Sequence, residues 1–526
     1  MFNKEVFKVR TGNGDLQFDS TGSKLVDFFL FVQAYPYKTR GNHMNCKLFW
    51  ESLYSDYDMT IRAILKARDV RKGSKLKRVF PDFVEALMDE TKIDKESANF
   101  MIKCFLAKMP ELGYWKDVVR FAADQTNPYF YDARKFAVSL INEAVFNTEH
   151  QELAFKFLPI KFKKGAAFIA RGCGFTDEES WRQFVAPQRN TVEKLVCSHR
   201  TAEINYSHVP TQAMKLHRNT FLKFDTARFQ AYLGDLVRKV EAGESVAGQI
   251  KSAGNLPPEI IARLRRAMGG EYGLSSRRGL AAALGAKKED LPSIEVTPEM
   301  AIDIAQWNAF QRVDTKGERL LALVDSSGSM YSGLTGSFQP LDVAISVGLI
   351  ASESNVDAFK DCYLSFESKA RFVDLKGING VHNKVAKIME NSYAGSTNLM
   401  SAFDMILDVA VQAGLSQEDL PTRLVIPSDM NFNGSFGMGC GLSVFEEAKA
   451  KFAAAGYKLP LVVYWYCCDK ASKPTTAFEG NVLMVSGFSE QTFNLVCSGQ
   501  NNVLEAILAD LSDSRYDWKI EDIVPQ

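Results

Sequence analysis

RLLALVDSSGSM, Arg319 to Met330, decides how the C-terminal half of this chain is read. Leu320 to Val324 is an unbroken apolar run of strand length, and such runs suit a strand buried on both faces of a parallel sheet. The run ends on a carboxylate, Asp325, followed by hydroxyls at Ser327 and Ser329, the pattern D-x-S-x-S. Working outward, strand-like runs alternate with amphipathic helical ones. DVAISVGLIASES, VHNKVAKIME, LMSAFDMILDVAVQAGL, VFEEAKAKFAAAG and NVLEAILADLSD read as helices. CYLSFES and ARFVDL read as strands of a hairpin, and RLVIPSD, LPLVVYWYC and NVLMVSGF as further strands. The alternation predicts an α/β domain over residues 301–526, with a mostly parallel, doubly wound sheet covered on both faces.

In open α/β sheets, ligands gather at the carboxyl ends of the strands. Two more polar clusters fall at such places: Gly395-Ser396-Thr397-Asn398, before the helix LMSAFDMIL, and Ser428-Asp429, which closes RLVIP. A hard divalent cation takes about six oxygen ligands, and Mg²⁺ tolerates few carboxylates and several retained waters. Two carboxylates, three hydroxyls and water match Mg²⁺, or another hard cation such as Mn²⁺ or Ca²⁺, and no His or Cys in the clusters favours a softer metal. Each cluster has a simpler use, since Ser and Thr after a strand cap helices and Asp sits in turns. The convergence of all three in one α/β unit is what favours a metal.

DSSGS, GSTN and the strand ending in SD resemble the metal-ion-dependent adhesion site of von Willebrand factor A domains. That resemblance implies a Rossmann-like C-terminal domain and an ion held by Asp325, Ser327, Ser329, Thr397 and Asp429, some directly and some through water. The ion is expected to keep one coordination position open, which an acidic residue of a partner protein, or a phosphate, would complete. SDM stands where the family more often has TDG, so the turn after Asp429 departs from its pattern.

Residues 1–251 read differently. FMIKCFLAKMPEL, DVVRFAAD, ARKFAVSLINEAVF and RFQAYLGDLVRKVEAG place apolar residues at helical spacing, with Pro and Gly between them. A long series of ordinary helices predicts an all-α helical-repeat domain. The aromatic-rich LVDFFLFVQAY and FYDARKFAVSLINEAVF are expected in its core. Residues 252–300, low in aromatics and rich in Gly, Ala and Arg, predict a connecting segment with short basic helices.

TGNGDLQFDSTGSKLVDFF, ARDVRKGSKLKRVF, MPELGYWKDVV and EINYSHVPTQAMKLHRNTFLKFDTARFQAYL resemble a HEAT- or TROVE-like module preceding a von Willebrand A-like domain. More distantly they resemble the Ro ribonucleoprotein autoantigen family. The resemblance implies RNA as a partner, either small structured RNA or misfolded RNA. Candidate phosphate contacts are Arg68, Arg71, Lys72, Lys75, Lys77 and Arg78, then Lys161, Lys163 and Lys164, then Lys215, His217 and Arg218. Arg263, Arg265, Arg266, Arg277 and Arg278 form a fourth basic group. A solvated helix face is the simpler reading of each.

Net charge is zero, but residues 1–300 carry ten more basic than acidic side chains and residues 301–526 ten more acidic than basic. Such asymmetry suits either an anion-facing and a cation-facing half or mutual docking. No apolar run reaches membrane-spanning length. The nine scattered cysteines form no CxxC pair and predict reduced thiols in a cytoplasmic protein. No P-loop, HExxH, G-x-S-x-G or kinase loop is present, so no enzyme activity is expected. The glycines from Gly434 to Gly441 lack a strand–turn–helix context for a dinucleotide. The favoured reading is a ribonucleoprotein component with a metal-dependent partner site. Next come a metal-dependent assembly factor without RNA, and a metal-dependent RNA hydrolase.

Overall fold

The structure, a computed structural model, describes residues 8–10, 16–18, 23–33 and 46–518. Within that last range the exceptions are 74–75, 147–150, 164, 190, 247, 252–255, 269–293, 295, 310–314, 316, 332–337, 356–358, 367–368, 391–398, 429–439, 468–476, 480–481, 487–495 and 497–502. The chain divides into two compact units, neither contiguous in sequence: Met1–Gly22 with Asn205–Val503, and Ser23–Ile204 with Leu504–Gln526.

The first unit is built on a sheet. A short hairpin of β1 (Lys8–Arg10) and β2 (Leu16–Phe18) stands apart from it. The sheet strands are β3 (Leu320–Asp325), β4 (Cys362–Phe366), β5 (Arg371–Asp374), β6 (Arg423–Ser428), β7 (Leu461–Tyr466), β8 (Ala477–Glu479) and β9 (Val482–Ser486). Their spatial order is β5-β4-β3-β6-β7-β9-β8. The five inner strands are mutually parallel, and only the edge strands β5 and β8 run antiparallel. All six residues of β3 and of β6 are buried, as apolar strands with helices on both faces must be. Leu321 and Leu323 face the helices Leu399–Ala413 and Cys440–Ala454, through Phe403, Ile406, Ala448 and Phe452. Val324 points the other way, toward the helix Pro340–Ser354. Period-two alternation along one buried strand thus serves two helical layers.

Gly348 sets the spacing of the second layer. A Cβ built on it would lie 2.6 Å from Cγ2 of Val324. Gly348→Val is expected to destabilise the unit by about 1–3 kcal/mol through overpacking, read as a lower midpoint in chemical denaturation. Gly348→Ala should fall between, because the helix propensity of Ala offsets about 1 kcal/mol.

The boundaries expected at 251 and 300 are displaced. The helices Thr211–Phe224, Thr226–Glu241, Pro257–Ala267 and Pro298–Asn308 all belong to the sheet unit. Pro257–Ala267 buries Ile260, Ile261 and Leu264 and sends Arg263 to Asp303 at 2.6 Å. Composition marks a stretch poor in aromatics, but it does not say in which core an apolar stripe ends. The second basic helix expected in 252–300 lies outside the described residues.

The second unit is a succession of helices from Lys24–Gln33 to Val192–Cys197 with short connections. Local sequence sets their ends. Asp56, Asp94 and Asp177 accept N-cap bonds from the N–H of Met59, Ser97 and Ser180, and Gly113 closes Lys95–Leu112 at φ 87°. Leu25, Phe28, Phe29 and Phe31 are buried as expected, while Tyr131 and Phe146 are exposed.

The end of the chain belongs here too, although its sequence continues the α/β pattern. Beyond the helix Val503–Leu511, Arg515 binds Asp69 with Nε–Oδ2 at 2.6 Å and Nη2–Oδ1 at 3.2 Å, and donates to the carbonyl of Glu111 at 2.9 Å. Arg62 pairs with Asp517 at 2.6 Å, Lys66 pairs with Asp510, and the indole N–H of Trp518 donates to Asp58 at 2.8 Å. Ile507, Leu511, Tyr516 and Trp518 are buried. Residues 504–518 form a strap on the helix Tyr57–Arg68. The earlier assignment of 301–526 to one domain is corrected in this respect: an amphipathic helix carries no label for the core it joins.

Candidate functional site

Asp325 and Ser428 end neighbouring parallel strands, β3 and β6. The strand order reverses between these two strands, which is the switch point where open α/β sheets leave a crevice. Pro427 opens it. Arg423 N–H donates toward β3, to the carbonyl of Arg319, whereas the carbonyl of Ser428 accepts from Cys467 beyond β7. Groups alternate along a strand, so residues 425 and 427 would be the following donors toward β3, and at 427 proline has no N–H. The β3–β6 register accordingly ends at Ala322 with Val425, while the β6–β7 register runs on to Ser428 with Tyr466.

Past that break the strands meet through side chains. Ser428 Oγ donates to Asp325 Oδ2 at 2.5 Å, and the N–H of Ser327 donates to Oδ1 at 2.9 Å. Asp325 is 1% exposed and Ser428 0%. A buried carboxylate is costly unless opposite charge reaches it. A carboxylate offers about four lone-pair positions, so it can take these hydrogen bonds and a cation together. Among the described residues, the side-chain atoms that Asp325 and Ser428 offer a cation here are oxygens, as a hard cation requires. Ser327 is half-buried and Ser329 lies in the tight turn Gly328–Tyr331, its side chain outside the described residues. Thr397 and Asp429 also lie outside them. Among the described residues, no three His, Cys, Asp or Glu side chains gather in a metal-binding group.

A brace beneath the turn was not foreseen. The Gln339 side chain donates to the carbonyl of Tyr331 at 2.7 Å, and its backbone N–H donates to Asp342 at 2.7 Å. Arg265 reaches both, binding Asp342 at 2.8 Å and the Gln339 side-chain oxygen, with its guanidinium 5.6 Å from the Tyr331 ring centre. Gln339-Pro340-Leu341-Asp342 carries the spacing of a capping box and was the available signal. Arg263 and Arg265 are therefore internal braces, not members of a phosphate-binding group. Arg277, Arg278, Gly434, Gly437 and Gly439 lie outside the described residues, and Gly441 stands in the first turn of the helix Cys440–Ala454.

The basic candidates fare unevenly. Arg68 is a correction: it is 0% exposed, its Nε is bound to Asp117, and its guanidinium sits 3.5 Å from the Tyr114 ring centre. The helical register that makes Arg68 part of a charge run also turns it into the core. Arg71, Lys72, Lys77 and Arg78 are exposed in the connection that follows, as are Lys161 and Lys163. Lys75 and Lys164 lie outside the described residues. Lys215 is exposed and His217 and Arg218 are half-buried, but all three stand on the helix Thr211–Phe224 of the sheet unit. No described helix is long and apolar enough to cross a membrane.

Comparison with known proteins gives two family matches. Residues 126–318 match a domain of unknown function, DUF2828, and residues 319–515 match another, DUF7788. The two meet at the start of β3. The chain is 24% identical to the uncharacterized protein L728 of Acanthamoeba polyphaga mimivirus, over 93% of this chain and 84% of that protein. Among solved structures it is similar to the Ro (RSR) protein of Deinococcus radiodurans, at 15% identity and a TM-score of 0.42, covering 91% of this chain and all of that one.

Proposed function

We propose that the sheet unit is a von Willebrand A-like module that binds a partner through a divalent cation. The observation that carries this reading is the meeting of Asp325 and Ser428 at the switch point of a parallel sheet, where Pro427 ends the ladder between their strands. Asp325, Ser327 and Ser329 would hold the ion from β3 and its turn, with Thr397 and Asp429 from the neighbouring loops. When bound, the ion supplies a Lewis-acidic position that a carboxylate of a protein partner can complete. Asp325 supplies the buried charge, Ser428 and the Ser327 N–H orient it, and Gln339 with Arg265 hold the turn that carries Ser329.

Isothermal titration of chelator-stripped full chain with Mg²⁺ and Mn²⁺ tests this. One saturable site per chain is expected, lost in Asp429→Asn. Absence of saturable binding for both ions sinks the reading.

A second reading concerns the helical unit, as an RNA-binding module. Exposed Arg71, Lys72, Lys77 and Arg78 on one connection favour it. It predicts RNA binding that weakens steeply with salt and is indifferent to Asp325→Ala.

A further inference from the structure

The connection after Arg68 does not simply project into solvent. The N–H of Leu76 donates to the carbonyl of Ala67 at 2.9 Å, which folds the connection back and seats Lys77 near Arg68. Phe80, three residues on, packs against Phe121 with ring centres 5.7 Å apart. That contact brings the start of Val79–Ala86 onto the helix Trp115–Ala123. On this second helix, Lys116 and Arg120 are one turn apart on the same face, flanking Asp117. Asp117 is buried and already bound by Arg68. The group therefore holds four cations, Arg68, Lys77, Lys116 and Arg120, against one carboxylate.

Like charges brought this close repel, and a solvated helix face normally intersperses acids among them. Elsewhere on this unit that is what happens: Lys24 pairs with Glu51, Lys108 with Glu111 and Arg182 with Glu179. Among the described residues, Lys77, Lys116 and Arg120 form no ion pair. Partial burial first, and then the nearby charges of Arg120 and Lys77, lower the pKa of Lys116. Among the described residues, the buried Nη1 and Nη2 atoms of Arg68 have no hydrogen-bond partner. Arg68 thus adds field from below, while the other three present donors at the surface.

We propose that Lys77, Lys116 and Arg120 form a phosphate-binding site for an RNA backbone. This rests on the RNA reading of the helical unit and names the residues that carry it, two of which stand on a helix absent from the basic runs of the sequence. Exposed Arg71 and Lys72 extend the cluster along the connection, with Arg78, paired with Asp82 at 3.8 Å, at its end, and a row of cations suits a chain of phosphates better than a single anion.

The test is fluorescence anisotropy of a labelled single-stranded oligouridylate against the full chain over a range of salt. Lys77→Gln/Lys116→Gln/Arg120→Gln is compared with Lys92→Gln/Lys95→Gln/Lys135→Gln, exposed lysines elsewhere on the unit. The cluster variant should bind about tenfold or more weaker, with the slope of log K against log salt reduced by about 2, at roughly 0.7 per contact on a single strand. The control variant should stay within about twofold of wild type, because exposed charges away from a contact contribute little. Equal weakening in both variants overturns the site but leaves the RNA reading standing, and so does unchanged binding in the cluster variant. A wild-type chain that binds no RNA at low salt overturns the RNA reading itself, and the site with it. Relief of repulsion should leave the cluster variant melting no lower than wild type. A marked fall in Tm would show that the cations are structural and would also overturn the proposal.

Discussion

On the proposed cation reading, Asp325→Ala is expected to abolish divalent-cation binding, and with it the thermal stabilisation that Mg²⁺ is expected to confer on the wild-type chain. The magnitude follows from linkage. A ligand at about a hundred times its Kd stabilises the native state by about 2.7 kcal/mol. For a unit of this size, with an unfolding entropy of about 2.1 cal/mol/K per residue, that corresponds to an upward shift of about 4 °C in Tm. Differential scanning calorimetry with and without Mg²⁺ measures it. Asp325→Asn sharpens the experiment. Asparagine keeps an oxygen that can accept from the Ser327 N–H, now at 2.9 Å, but it loses the charge. Removing a buried carboxylate also removes its desolvation cost, so the metal-free variant should melt at or above the metal-free wild type. A Mg²⁺-induced shift that survives in both variants would place the ion elsewhere.

Arg515→Ala detaches the strap and destabilises the helical unit by about 3–5 kcal/mol, the cost of stranding one partner of a buried ion pair. The partner left behind is Asp69, 0% exposed. Its other bonds, from the N–H groups of Arg71 and Lys72 and from the Tyr516 hydroxyl at 3.3 Å, hold it in place and give it no way to reach water. Chemical denaturation of the full chain, with limited proteolysis of residues 504–526, reads the effect. Arg515→Lys should recover only part of it, because a lysine cannot reproduce the two-nitrogen grip on Asp69 together with the bond to Glu111. Asp69→Asn/Arg515→Leu should be milder than Arg515→Ala alone, since it strands no charge.

The same pair sets a pH dependence. Burial works against ionised Asp69, but hydrogen bonds from Arg515 and from the backbone of Arg71 and Lys72 outweigh it, so its pKa is lowered. A carboxyl group with a native pKa below its unfolded value contributes fully above about pH 4, and the contribution is lost as pH falls through the native pKa. Acidification below pH 4 should therefore cost the wild type stability that the Asp69→Asn/Arg515→Leu variant does not lose. Parallel slopes for the two proteins would remove the pair from the account.

Much of the sheet unit was legible because its signals are local. The LLALV of β3 and the LVIP of β6 are unbroken apolar runs, which is how a strand buried on both faces must read, and each is followed by a polar residue at the carboxyl end, Asp325 or Ser428. The hairpin of β4 and β5 and the helices between strands followed from periodicity. What Pro427 does was not legible. A proline inside an apparent central strand argues against that strand until one knows which neighbour its missing N–H faces. Arg68 failed for a related reason: six cations within eleven positions look like one surface, yet helix rotation buries the first of them on Asp117.

By itself the sequence determined which segments are helix and strand, that the central strands are covered on both faces, and that Asp325 stands at a strand end with hydroxyls close behind. These depend on periodicity, caps and side-chain chemistry within a dozen residues. Only the tertiary structure decided that residues 504–518 leave the sheet unit to strap the helices, that residues 205–267 join the sheet, and that Lys116 and Arg120 stand with Lys77. Those outcomes turn on which apolar stripe finds which core and which charges are left facing one another, and both are set by contacts between residues far apart in the chain.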